Sequence, residues 1–145
     1  MIEPSGPRAE FFPRLGGWII DLVVINALSY VSRRFGGFAL GTPIAVVIGL
    51  LYTVLLIAGP RGQTLGMWLC GTRVIDVATG GRVGHGQAIL RYFVGLVALI
   101  PLAAGYFWML VDPERRTWQD IAARTVAVPI AFFPAIRPPA GPTAP

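Results

Sequence analysis

The sequence has no lysine, one cysteine (Cys70) and one histidine (His85). Without lysine there is no nucleotide phosphate loop: Gly59 to Gln63 lacks the Gly-Lys-Ser/Thr ending that such a loop needs. A lone thiol excludes an internal disulfide. One thiol and one imidazole cannot build a metal site without carboxylates or a partner chain. Gly84-His85-Gly86 lacks the third glycine of a dinucleotide turn and follows no strand–helix pattern. No serine, histidine and acid triad can be assembled with economy, so neither an enzyme nor a cofactor is expected. Charge is scarce as well: 13% of residues are charged, against about 25% in a soluble domain. The N-terminus lacks the marks of a signal peptide. Glu3 and Glu10 lie where a basic region should be, and no small-residue cleavage site follows a short apolar core. The first helix is therefore expected to be retained.

What the chain does have is apolar surface. Hydrophobic residues make up 54% of its 145 residues, and the mean hydropathy is +0.66. This points to an all-α membrane protein. The net charge is +5, and all 12 basic residues are arginines. They are scattered around apolar segments and form no basic stripe, so nucleic acid is not expected. They read as topology signals and as contacts to anionic lipids of the bilayer.

Three apolar segments stand out, at about 14–31, 38–58 and 88–111. The first two have the length of spanning helices, since about 20 residues cross a bilayer core. Gly16 and Gly17 allow close backbone approach, and Trp18 and Tyr30 sit where aromatic belts form. Residues 32–37 should form a tight loop, and Pro60, with Gly59 as cap, should end the second helix. Gly62 to Gly71 reads as an interfacial helix with Met67 and Trp68 facing lipid. Thr72 to Val77 alternates like a strand, and a turn at Ala78 to Gly81 with a return at Arg82-Val83 predicts a small cytoplasmic β-hairpin. Thr125 to Val128 also looks like a short strand that could pair with it. Residues 1–7 form an N-terminal lead, 8–130 one membrane domain, and 134–145 a proline-rich disordered tail.

The third segment either spans or re-enters, because Pro101 and Gly105 can break it. If it spans, the arginines divide six and six across the bilayer; if it turns back, ten face two, with Arg33 and Arg34 alone outside. The positive-inside rule favours the return and a cytoplasmic N-terminus.

Asp21 lies within the first apolar segment, where an ionisable residue costs roughly 2.5–3.5 kcal/mol and is a functional hypothesis by default. Arg14 precedes it by seven residues, which places the two on one helix face about 10 Å apart, too far to pair. Each needs a partner. Arg14 would take Asp120 or Asp112, and Asp21 would take an arginine, with Arg91 at the mouth of the third segment the best candidate. Thr117 and Asp120 are also spaced like a capping box. Asp76 reads as turn chemistry, His85 as a solvated loop residue, and Cys70 as a small apolar residue at the interface.

These residues resemble the RDD family of bacterial membrane proteins, named for one arginine and two aspartates. The matching residues are Arg14 and Asp21, then Thr64-Leu65-Gly66, Gly71 to Asp76, Arg91, and Asp112 to Asp120 with Ala123 and Thr125. Asp120 is taken as the second aspartate, with Asp112 as rival. Two departures stand out. Members often carry basic residues after the Thr-Leu-Gly stretch, where this chain has Met67 and Trp68, and histidine before the last aspartate, where it has Gln119. A role for basic charge or proton exchange at those places is not carried over. The resemblance implies a bacterial plasma membrane protein of undefined function, with a suggested link to transport that includes sodium–proton exchange in some members.

Two function classes follow. One is transport of an ion or small solute with Asp21 as the charged site. Three apolar segments cannot enclose a pathway alone, so this requires a homo-oligomer or a membrane partner protein. The other is a structural or accessory membrane protein, whose arginine–aspartate pairs lock helix packing and whose arginine rim binds anionic lipid.

Overall fold

The computed structural model describes residues 7–101 and 103–132. The expected tail at 134–145 and most of the expected lead lie outside them. The chain is helical from Phe11 to Ile57 (α1), broken once at Gly37, which has φ 61° and ψ −170°. A side chain at that angle clashes with its own backbone, so glycine makes the break possible. The N-terminal arm, Phe11–Phe35, has a mean hydropathy of 1.5 and is long and apolar enough to cross a membrane; the second arm, Gly41–Ile57, is shorter. The expected loop at 32–37 is thus largely helix. The two arms fold back on each other, since the Tyr52 hydroxyl donates to Asp21 Oδ1 at 2.7 Å.

The second arm ends at Ile57, with Ala58 as its cap rather than Gly59. A short helix follows, Leu65–Leu69 (α2), opened by Thr64, whose hydroxyl accepts from the Met67 N–H at 3.3 Å. Trp68 is exposed as expected, but Met67 turns inward and packs on a core of Val54, Ile57, Val74, Val83 and Ala88.

Thr72–Asp76 (β1) is a strand, and its partner is Thr125–Pro129 (β2), antiparallel, with Thr72 opposite Pro129 and Asp76 opposite Thr125. The expected hairpin does not form. The Asp76 N–H reaches the Gly81 carbonyl at 3.1 Å, but no return strand follows, because Gly84 already caps the next helix. Val83 instead plugs the core. Period-two alternation puts Val74 on one face of the sheet and Ile75 on the other, where it packs with Val126 and Val128.

His85–Leu99 (α3) leads through a turn at Pro101 and a left-handed Ala103 into Ala104–Phe107 (α4) and a 3-10 turn over Trp108–Leu110. The axis bends by 112° between His85–Leu99 and Ala104–Leu110. The bent piece lies back on α3: a methyl added at Gly105 would stand 2.4 Å from the Ala98 Cβ. Trp118–Ala123 (α5) then returns the chain to the beginning of α3, because Asp120 pairs with Arg91. The apolar segment therefore doubles back on itself.

The sheet, the start of α1, the end of its second arm and the start of α3 meet at one end of the molecule. The Ala9 N–H donates to the Ala127 carbonyl at 3.0 Å and the Val74 N–H to the Gly62 carbonyl at 2.9 Å. Away from that end the helices keep their apolar side chains outside, among them Val23, Val47, Leu55, Phe93 and Val97. Only 18% of the apolar window in the N-terminal arm is buried. A core helix of a soluble protein would be mostly covered, and so large an exposed apolar surface marks a protein made for another phase.

Candidate functional site

Asp120 is the third residue of α5, and that position decides its chemistry. As in a capping box, its Oδ2 accepts from the Thr117 N–H at 3.0 Å and from the Thr117 hydroxyl at 2.9 Å. The same carboxylate holds two guanidiniums. Arg14 Nη2, from the first turn of α1, meets Oδ2, and Arg91 Nη1, from α3, meets Oδ1. Arg14 Nη1 also donates to the Arg115 carbonyl at 3.0 Å, and Arg91 Nη1 to the Thr125 hydroxyl of β2. One fully buried carboxylate, 0% exposed, thus joins α1, α3, α5 and β2. The Arg14 and Arg91 side chains are 11% and 3% exposed.

The structure brings Arg14, Arg91 and Asp120 together and leaves the other two site candidates out. Asp112 pairs with Arg116 at 3.1 Å, not with Arg14. Its position ahead of Pro113 puts it one turn from Arg116, which captures it locally. Asp21 does not pair with Arg91, because Arg91 is already taken by Asp120. Asp21 accepts instead from the Tyr52 hydroxyl, the Thr64 hydroxyl and the Gly66 N–H, the last at 2.9 Å. Tyr52, Thr64 and Gly66 are therefore site residues that charge pairing missed. Thr64 and Gly66 lay in a motif already singled out; Tyr52 had no spacing signal. Gln87 was missed as well. It donates to Asp76 Oδ1 at 3.0 Å and to the Ala123 carbonyl at 3.1 Å, tying the start of α3 to the ends of β1 and α5. Asp76 keeps its turn role through the Thr79 hydroxyl at 2.9 Å.

Between the Asp21 and Asp120 networks lie two adjoining cavities of about 120 and 200 Å³. Both are lined by Trp18, Asp21, Met67, Arg91, Tyr106 and Gln119. Among the described residues no group of three or more His, Cys, Asp or Glu side chains is placed to hold a metal ion.

Burial alone would raise the Asp120 carboxyl, but the Arg14 and Arg91 guanidiniums outweigh it and hold the carboxyl well below the usual carboxylate range. Asp112 is also lowered: burial opposes, and the Arg116 hydrogen bond and charge prevail. Both acids bind a proton less tightly folded than unfolded, so their contribution is complete above the unfolded value of about 4 and is lost progressively as pH falls from there toward the lower folded values. The unfolding midpoint in detergent is expected to be flat from pH 8 to 5 and to drop steeply below pH 4. Asp120→Asn should flatten most of that drop, and an unchanged acid limb in this variant would refute the assignment.

Apolar helices with uncovered faces, closed at one end by a buried ion network and a two-stranded sheet, define a helical membrane-associated protein. The RDD family model matches residues 8–124, and the chain belongs to the RDD family. It is similar to the proline-rich antigen of Mycobacterium leprae (strain TN), 31% identical over 72 residues that cover 50% of this chain and 29% of that protein. It is also similar to the proline-rich antigen homolog of Mycobacterium tuberculosis (strain H37Rv), 27% identical over 129 residues that cover 79% of this chain and 54% of that protein. The chain spans about half or less of the length of these curated relatives. No solved structure matches it.

Proposed function

We propose that the chain is an accessory protein of the bacterial plasma membrane, whose ion network locks the helices and whose arginine rim holds anionic lipid. In this reading both arms of α1 cross the bilayer, and α3 with α4 enters and leaves on the side of the sheet. That side is cytoplasmic, because it then carries nine of the eleven arginines among the described residues. The observation that carries the reading is the saturation of Asp120. Its two oxygens take both arginines and both Thr117 donors. A carboxylate held this way fixes geometry and is poorly placed to exchange a proton or an ion. No catalytic role is assigned to any residue.

The test is reconstitution. In vesicles containing phosphatidylglycerol the protein should melt several degrees higher than in phosphatidylcholine alone, a gap that Arg115→Gln with Arg124→Gln should narrow. It should pass no cation or proton current. Cysteines placed at His85 and Glu114 in a Cys70→Ser background should both label from the cytoplasmic side; opposite labelling would overturn the re-entrant arrangement. A second reading, transport by an oligomer, draws support from the cavities that separate Asp21 from Arg91. Cation or proton flux abolished by Asp21→Asn, in protein that still folds, would replace the first reading with this one.

A further inference from the structure

Arg91 is half used. It donates through Nη1 alone, to Asp120 and Thr125. Its Nε and Nη2 have no acceptor among the described residues, although its side chain is only 3% exposed. Neither donor is shut off from the space beside it, so that space matters. Arg91 lines both cavities, as does Gln119, whose side-chain amide makes no hydrogen bond among the described residues. Asp21, which lines both cavities too, does not take up these donors, since its oxygens are engaged by Tyr52, Thr64 and Gly66.

We propose that these cavities form a binding site for a small carboxylate-bearing solute. The Nε and Nη2 groups form the edge of arginine that meets a carboxylate through two parallel hydrogen bonds. Asp112 uses that edge of Arg116 in this chain, at 3.1 and 3.4 Å. The Gln119 amide stands in the same wall, while Trp18, Met67 and Tyr106 supply an apolar surface for the remainder of the molecule. A cavity of about 150 Å³ accepts a molecule the size of benzene, so a short-chain acid fits. The inference goes beyond the accessory reading and does not depend on flux or on lipid preference.

The test is calorimetric titration of the full chain in phosphatidylcholine nanodiscs with butyrate, and with butyramide as the neutral control. Saturable heat is expected from butyrate and none from butyramide. Arg91→Lys keeps a charge for Asp120 but removes the two-donor edge, and should weaken butyrate at least about tenfold. Gln119→Leu leaves every arginine–aspartate contact in place and should weaken it severalfold, so it decides the question if Arg91→Lys does not fold. Laurate asks whether the acid comes from lipid: competition with butyrate assigns the site to fatty acids, and no competition assigns it to soluble acids. Absence of saturable butyrate heat, equal heat from butyramide, or butyrate binding unchanged in Gln119→Leu would overturn the proposal, leaving water as the occupant.

Discussion

Asp120→Asn is expected to lower the unfolding free energy by about 3–5 kcal/mol, the cost of breaking a buried ion network by removing one partner. The amide is nearly isosteric and can still accept from the Thr117 N–H, so the cap is not the main loss. The charge is. Arg14 and Arg91 would remain buried with no counter-ion between them, held at one place by α1 and α3. Single replacements Arg14→Met and Arg91→Met should each cost less, because Asp120 keeps one guanidinium. The three positions should also be strongly non-additive, as expected for groups sharing one network. Replacing all three with apolar residues should recover most of the loss, because matched burial without charge is often neutral. Denaturant titration in detergent micelles measures each term. A loss below about 1 kcal/mol for Asp120→Asn would place this network with the weak surface pairs and remove the basis of the accessory reading.

The sequence showed why Arg14 needed a distant partner: seven residues separate it from Asp21, too far for a bond on one helix face. It also offered Asp120, through the spacing from Thr117. It failed on Asp21 for a physical reason. Counting charges looks for an opposite charge, whereas a carboxylate is equally served by hydroxyls and a backbone N–H, and those donors carry no formal charge to count. The sheet was half legible. Alternation over Thr72 to Val77 marks a strand, and the nearest turn offered it a hairpin partner that does not form, while Thr125 to Val128, the other strand expected to pair there, is its partner from some fifty residues away. The third apolar segment divided hydropathy from charge. Hydropathy sums composition and is blind to Pro101 and the left-handed Ala103, where the axis bends. The arginine distribution senses where the chain ends up, and it favoured the return that brings Asp120 back to Arg91. Where a loop is expected at 32–37, the N-terminal arm stays helical to Phe35 and the chain breaks at Gly37 alone, and Arg33 Nη2 donates to Asn26 Oδ1 at 3.3 Å along the same face.

Gly66→Ala is expected to displace α2 from α1. An added Cβ would lie 2.0 Å from the Gly17 carbonyl oxygen, 2.8 Å from its carbon and 2.9 Å from Asp21 Cγ. The first two are backbone atoms inside a helix and cannot swing aside, so α2 must move. Moving it breaks the Gly66 N–H bond to Asp21 and pulls the Thr64 hydroxyl away, leaving Asp21 with Tyr52 alone. Overpacking of about 1–3 kcal/mol and a carboxylate short of two donors add to a loss of roughly 2–5 kcal/mol. Gly86→Ala is the matched control, since a methyl there meets nothing within 4 Å. It should be neutral or slightly stabilising in a helix. The lone cysteine offers a direct readout. Cys70 Sγ lies 3.2 Å from the position a Gly16 Cβ would take, so it rests against α1 while α2 is docked. Maleimide should therefore label Cys70 faster in Gly66→Ala than in Gly86→Ala. Equal labelling and equal stability in the two variants would show that α2 is not held by the close approach of Gly17 and Gly66.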